Sequence, residues 1–404
     1  MIRLRWNGTS AGSYCLNGEF GNEYPLCAYK VVLVMARKSD RFLKTSNKSE
    51  ETIRRKSEHL RIVADEDVSH SGTTLLEDVQ LVHQALPELN LDEIDTSTDF
   101  FGKDLSAPLM ITSMTGGSEF SEEMNRGLAQ AAEETGVAFA VGSQRVMLRH
   151  PETTAHFAVR EFIPNGVLLG NIGAVQLEEY AADTIADLVD SIDADGMCVH
   201  LNAAQELVQN EGHRRFSGIL DRIARLLERL DGRLLVKETG AGISPETASK
   251  LHSIGVPYID VSGSGGTSWT KVEMFRANKG LLRQMGAAFA DWGVPTAFSV
   301  MATRRICGPD VKVISSGGIT CGLDVARSLA IGADIGGIAR SILMAFLEGG
   351  TEGACDFIQR ITEELRLAML LTGAKDVPSL ARVSRVIKGD LRDWLLHYGW
   401  SSEG

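Results

Sequence analysis

The chain has 404 residues, 44% of them hydrophobic, with 41 glycines against 10 prolines. That is enough for one large core or two domains, and it excludes a collagen-like or wholly disordered chain. The formal net charge of -12 excludes a general nucleic-acid binder while leaving room for a local basic pocket.

Residues 1–50 show no sustained periodicity and read as a disordered or mis-started extension. Their apolar stretch, Val31 to Ala36, is too short for a signal-peptide core, and Met35 offers an alternative start. No apolar run anywhere reaches the roughly 18 residues of a membrane helix, so no membrane partner is expected. The six cysteines, Cys15, Cys27, Cys198, Cys307, Cys321 and Cys355, form no Cys-x-x-Cys pair. Neither a zinc knuckle nor a dithiol motif is expected, and reduced thiols in a cytoplasmic protein are the simplest reading.

Residues 51–107 read as an arm and lead-in. They include Arg54-Arg55-Lys56-Ser57-Glu58-His59, either a solvated charge run or a basic arm that folds over a site and clamps an anion. From residue 108 to 375, apolar runs recur with a helical pattern after most of them. They are Pro108 to Thr112, Val137 to Val141, Val167 to Leu169, Met197 to Leu201, Leu234 to Val236, Tyr258 to Val261, Val311 to Ile314 and Ile335 to Ile338. Most gaps are about 25 to 35 residues, one strand-loop-helix-loop unit. One helical face is expected from Leu177 to Ile192, with Leu177, Tyr180, Ile185, Leu188 and Ile192 aligned. Eight alternating units predict an α/β fold, a (β/α)8 TIM barrel, whose chemistry sits at the C-terminal strand ends. Residues 376–404 read as a helical tail.

Nearly every strand end is polar or glycine-rich. The richest is Val199-His200-Leu201-Asn202-Ala203-Ala204-Gln205-Glu206. Residues i and i+2 of a strand share a side, so His200 and Asn202 project together, and Gln205 and Glu206 follow within one turn. That cluster suits an active site, and it also suits a satisfied core histidine followed by a helix cap. Gly317-Gly318 after the seventh run and Ala339-Arg340 after the eighth fit the phosphate site common at that place in barrels, or two ordinary turns. Lys237 ends the fifth run. Either it faces an electron-rich cofactor ring, or it snorkels to solvent.

The series Arg55-Lys56-x-x-His59, Ser113-Met114-Thr115-Gly116-Gly117, Gly142-Ser143-Gln144-Arg145, His200-Leu201-Asn202-x-x-Gln205-Glu206, Val236-Lys237-Glu238, Gly265-Gly266-Thr267-Ser268-Trp269 and Ser316-Gly317-Gly318-Ile319 resembles the type 2 isopentenyl diphosphate isomerase family over roughly Arg55 to Leu371. The resemblance implies an enzyme of isoprenoid biosynthesis that interconverts isopentenyl and dimethylallyl diphosphates. It uses reduced FMN supplied through NADPH, with Mg2+, and forms a homo-oligomer, a tetramer or octamer. The reduced flavin is the implied acid/base. Ser113, Met114, Thr115, Ser143, Asn171, Lys237, Ser262, Thr267, Gly317, Gly318, Ala339 and Arg340 would hold FMN. Arg55, Lys56, His59 and Arg145 would hold the diphosphate with His200 and Asn202. Gln205 would lie at the isoprene carbons, and Glu206 would bind magnesium, an ion that favours one or two carboxylates plus substrate phosphates.

The chain departs from the family pattern at Thr320, in place of an arginine, at Ser57, in place of an aspartate, and at His213, where an acidic residue is expected. Two other readings stand beside the isomerase. One is a 2-hydroxy-acid oxidase-like FMN oxidoreductase, which needs a His–Arg pair near the seventh strand, where Thr320 and Cys321 sit. The other is a non-catalytic FMN- or diphosphate-binding relative.

Overall fold

The computed structural model describes residues 48–114, 119–277 and 279–401. The expected disordered extension, apart from residues 48–50, and the alternative start at Met35 lie outside these, as does Thr115.

The eight expected runs are eight parallel strands, here β1 Leu109–Ile111, β2 Ala138–Ala140, β3 Leu168–Gly173, β4 Gly196–His200, β5 Leu234–Lys237, β6 Tyr258–Asp260, β7 Lys312–Ser315 and β8 Ile335–Ile338. They close into a barrel in that order, with β8 pairing back onto β1. Alternate residues face inward. Met110, Ala138, Ala140, Leu169, Cys198, Leu235, Ile314 and Ile335 fill the interior. Leu109, Phe139, Leu168, Met197, Val199, Val236, Ile259 and Val313 pack outward into the larger core. Burial on both faces explains why the strands read as continuous apolar runs. An antiparallel hairpin, Thr98–Phe100 with Lys103–Leu105, lies beneath the barrel floor. Its Phe101 ring stacks 4.0 Å from Tyr258.

Strand register sets the level of the mouth. Gly173, His200, Lys237 and Asp260 are successive partners across β3 to β6. The helices start where the sequence caps them. Ser244 accepts from the Thr247 N–H ahead of Pro245–Ser253, and Ser268 accepts from the Lys271 N–H ahead of Trp269–Arg276. The helix expected from Leu177 is two elements: a 3-10 turn, Ala174–Glu178, and a helix beginning only at Ala182. The same apolar face serves both, so periodicity could not see the break.

The first helix, Lys48–Asp65, leads into a strap that crosses the mouth. The His70 N–H donates to the Gly266 carbonyl at 2.9 Å, Lys271 Nζ to the Ser69 carbonyl at 2.7 Å, and the Ala297 N–H to the Thr74 carbonyl at 3.0 Å. A Cβ on Gly265 would collide with the backbone of Thr73 and Thr74, so the close approach needs glycine. The tail beyond residue 376 is not helical throughout. Arg385–Ile387 is a strand paired antiparallel to Val79–Leu81, and only then does helix Gly389–His397 follow. Trp394, Tyr398 and Trp400 surround Phe298 of a barrel helix at 4.8, 5.3 and 5.8 Å between ring centroids. No helix among the described residues is long and apolar enough to cross a membrane.

Candidate active site

A cavity of about 480 Å³ opens at the C-terminal ends of the strands. Every described residue expected to act lines it: the Arg55, Lys56 and His59 face of the first helix, Ser113, Met114, Ser143, Arg145, Asn171, His200, Asn202, Gln205, Glu206, Lys237, Ser262, Thr267, Gly317, Gly318, Ala339 and Arg340. Thr115 alone falls outside the described residues. The basic run is therefore not a solvated face; the first helix lays it across the mouth.

One end of the cavity is built from backbone. Gly317 and Gly318 have φ of +97° and +89°, where a side chain is strained, and a Cβ on Gly266 would collide with Gly318. The turns after β6 and β7 thus sit against one another and line the cavity directly. Ser262, at the exit of β6, also has positive φ (36°), uncommon for a residue with a Cβ. Ser113 Oγ, at the exit of β1, is buried with no hydrogen-bond partner among the described residues. Glycine turns that open backbone to a cavity, with an orphaned hydroxyl on the same lining, fit a phosphate-bearing cofactor. Arg340 turns away from that role in part. Its Nε donates to the Val63 carbonyl at 3.1 Å and its Nη1 to Ser69 Oγ at 3.1 Å, clasping the end of the first helix. Thr320 does not replace the missing arginine. Its hydroxyl donates to Asp324 Oδ2 at 3.0 Å.

The other end carries the cations. Lys56 Nζ donates to the Ser143 carbonyl at 3.0 Å and lies 5.7 Å from the Phe157 ring. Burial, helped by the Arg55 and Arg145 charges, pushes the Lys56 ammonium down to about 7. His200 Nδ1 lies 2.9 Å from Asn171 Oδ1. Burial, then Lys237, Lys56 and Arg145, pushes the imidazole down to about 3, so it is neutral near pH 7. With Asn171 accepting the Nδ1 proton, the other ring nitrogen is an acceptor. Lys237 does not snorkel. It is 5% exposed, and its Nζ donates to the Glu238 carbonyl at 2.5 Å. Arg55, Lys56, Arg145 and Lys237 bring four basic side chains into one recess, which suits a polyanion.

Glu206 sits on the short helix Ala203–Val208. Asn202 Nδ2 donates to its Oε1 at 3.2 Å, and the His213 N–H to its Oε2 at 2.6 Å. Among the described residues no group of three His, Cys, Asp or Glu could hold a metal. An all-protein cage is therefore not the fit. A single carboxylate completed by substrate oxygens is, and that is how magnesium is commonly held.

Glu273, on helix Trp269–Arg276, joins the site without having been singled out in the sequence. Its Oε1 accepts from Gln205 Nε2 at 3.2 Å and Gln209 Nε2 at 2.6 Å and lies 2.8 Å from His59 Nε2. Its Oε2 accepts from Arg276 at 3.2 Å. Burial raises this carboxyl, but His59 and Arg276 outweigh it and hold the group at about 2. The cue was present, since Glu273 follows the quoted Ser268-Trp269 by one helical turn, but an acid in an amphipathic helix carries no mark of burial. Asp260, fully buried beneath the mouth, was missed in the same way. It accepts from Ser316 Oγ at 2.6 Å and from the Ser262 N–H at 3.1 Å, tying β6 to the β7 turn.

This fold and site define a barrel of the FMN-dependent dehydrogenase family, which matches residues 54–155 and 181–386. Solved structures share the architecture. A lactate oxidase described as putative, from Pediococcus acidilactici, aligns with a TM-score of 0.61 at 15% identity, covering 86% of this chain and 96% of its own. A mandelate oxidase variant with a monooxide FMN adduct aligns at 0.59 and 18% identity, covering 85% of this chain and 100% of its own.

Sequence relatives are more specific. Proteins named isopentenyl-diphosphate delta-isomerase from Methanopyrus kandleri, Pyrococcus abyssi and Halobacterium salinarum are 43%, 41% and 43% identical to it. They cover 84%, 86% and 87% of this chain and 93%, 95% and 98% of their own lengths. The chain belongs to the isopentenyl-diphosphate delta-isomerase family.

Proposed function

We propose that this protein interconverts isopentenyl and dimethylallyl diphosphate in isoprenoid biosynthesis as a flavoenzyme of the type 2 class, with FMN and Mg2+ bound and NADPH as the source of reducing equivalents. The observation that carries the reading is one cavity. Arg55, Lys56, Arg145, His200 and Glu206 line it together with the glycine turns after β6 and β7.

Reduced FMN, when bound, supplies the group that exchanges a proton with the isoprene carbons. The chain's own residues do the rest. Ser113, Met114, Thr115, Ser143, Asn171, Ser262 and Thr267 hold the cofactor, with Gly317, Gly318, Ala339 and Arg340 at its phosphate. Lys237 places a positive charge at the ring's pyrimidine edge. Arg55, Lys56, His59 and Arg145 bind the diphosphate, with Arg55 Nε buried and still unpartnered among the described residues. His200 and Asn202 orient the substrate, and Gln205, anchored by Glu273, faces the reacting carbons. Glu206 would hold magnesium, which would offset charge on the diphosphate, and Asn202 Oδ1, without a hydrogen-bond partner among the described residues, would accept from a water there. We also place the protein in the cytoplasm, as a homo-oligomer of four or eight chains, and read residues 51–107, 108–375 and 376–404 as arm, catalytic barrel and tail.

The oxidoreductase reading is disfavoured by the absence of a His–Arg pair at Thr320 and Cys321. A flavin spectrum on the purified protein, followed by anaerobic NADPH, magnesium and isopentenyl diphosphate, tests the proposal. Dimethylallyl diphosphate should form without stoichiometric NADPH consumption. Bound flavin with no isomer would refute it, and NADPH used in proportion to product would favour net redox chemistry.

A further inference from the structure

The loop of residues 209–216 folds back over the Glu206 carboxylate. Its His213 N–H is the donor to Glu206 Oε2. A Cβ on Gly212 would collide with the Glu206 carbonyl, so the loop reaches this close only because glycine is there. Glu211 of the same loop accepts from Arg276 at 2.6 Å and lies 3.6 Å from Arg55. One loop therefore touches both the carboxylate assigned to magnesium and an arginine assigned to the diphosphate.

Besides these contacts and that of Gln209 to Glu273, the loop is tied at its far side through its own histidine. His213 Nε2 lies 2.7 Å from Glu178 Oε2, in the turn after β3, and Glu178 Oε1 lies 3.2 Å from Arg215 Nε. An acidic side chain at 213 would face Glu178 as a like charge. The imidazole makes the same place an attachment. A carboxylate offers about four acceptor sites. Asn202 and the His213 amide occupy one on each oxygen, which leaves one on each for an ion and its water. Groups that hydrogen-bond a metal ligand fix its orientation, and losing one costs roughly 10- to 100-fold in metal affinity.

We infer that His213 and Glu178 are positioning residues: their contact pins the 209–216 loop so that the His213 backbone amide presents Glu206 to magnesium. The inference rests on Glu206 being the magnesium ligand, and the test separates the two.

The full-length FMN holoprotein is titrated calorimetrically with isopentenyl diphosphate, without NADPH, over a series of magnesium concentrations. The magnesium dependence of turnover is measured alongside. His213→Ala and Glu178→Ala should each raise the half-effective magnesium concentration roughly tenfold. The double variant should go no further, and kcat at saturating magnesium should stay within about twofold. His213→Gln, which keeps an N–H within reach of Glu178, should recover most of the loss. Flavin content reports folding, and Glu178→Ala carries the test if His213→Ala does not fold. A shift below twofold in the single variants, or additive shifts in the double, would overturn the inference while Glu206→Gln still abolished the magnesium dependence. An unchanged dependence in Glu206→Gln would instead remove the metal assignment, and the inference with it.

Discussion

Replacing Glu273 with glutamine removes one negative charge from the point where Gln205, Gln209, His59 and Arg276 meet, while keeping the size and an acceptor oxygen. The carboxyl is held at about 2 against an ordinary 4.5, and a gap of that size is worth about 3 kcal/mol at neutral pH. The hydrogen bonds give a similar figure. The amide's single oxygen can keep either the Gln205 and Gln209 donors or Arg276, at neutral strength, while its NH2 turns a donor toward the other side, so the charged hydrogen bonds are weakened or lost at about 1 kcal/mol apiece. Thermal unfolding of Glu273→Gln should therefore come roughly 5 °C early at pH 7. Because the folded pKa is depressed, the stabilisation is complete above about 4.5 and is lost as pH falls through about 2. The deficit should hold from pH 7 to pH 5 and shrink to roughly half near pH 3. Gln205 loses its charged anchor at the same time, so kcat/KM for isopentenyl diphosphate should fall roughly tenfold. A deficit below about 1 kcal/mol, or one equally large at pH 3 and pH 7, would show that Glu273 acts through packing and not charge.

Lys56, held at about 7 by burial and the Arg55 and Arg145 charges, should regain a proton when a diphosphate binds. Calorimetry in buffers of different ionisation enthalpy should show uptake of about half a proton near pH 7, absent in Lys56→Met; equal heats in all buffers would remove this coupling. His200, at about 3, is already neutral in the free protein above pH 5. His200→Gln should therefore raise KM and leave the shape of the kcat/KM profile above pH 5 unchanged, and loss of an acid limb there would make His200 the titrating acid/base. Gly318→Ala forces a Cβ toward Thr74 at φ +89°. FMN binding followed by fluorescence quenching should weaken at least about tenfold, and unchanged binding would place the phosphate elsewhere.

The barrel was legible because all eight strands are buried on both faces, so each stands out as an apolar run between polar ends. The site was legible at those ends for a related reason: Asn171, His200 and Lys237 terminate runs that otherwise hold only apolar residues. Charges whose meaning comes from a partner far along the chain were not legible. Glu273 is one acid among several in an amphipathic segment until the fold brings Gln205 and Gln209 to it. Arg340 sits at a strand end that predicts a phosphate contact, yet much of its guanidinium serves the first helix. The break at Ala182 and the strand Arg385–Ile387 were hidden because an apolar face continues across the first and three residues carry no usable period in the second.

The clasp between Arg340 and the first helix also sets an order of assembly. Arg340 follows Val63, whose carbonyl it binds, by 277 positions. At about 5 to 20 residues per second, a ribosome takes roughly 14 to 55 s to cover that interval. Throughout it, Arg55, Lys56 and His59 have been synthesised without one of the residues that fasten their helix, although their partners Ser143 and Glu273 emerge sooner. The Arg55, Lys56 and His59 face is thus among the first parts of the described chain to be made, and its clasp to Arg340 is among the last of its contacts to become available. That clasp can form only once β8 and Arg340 have emerged.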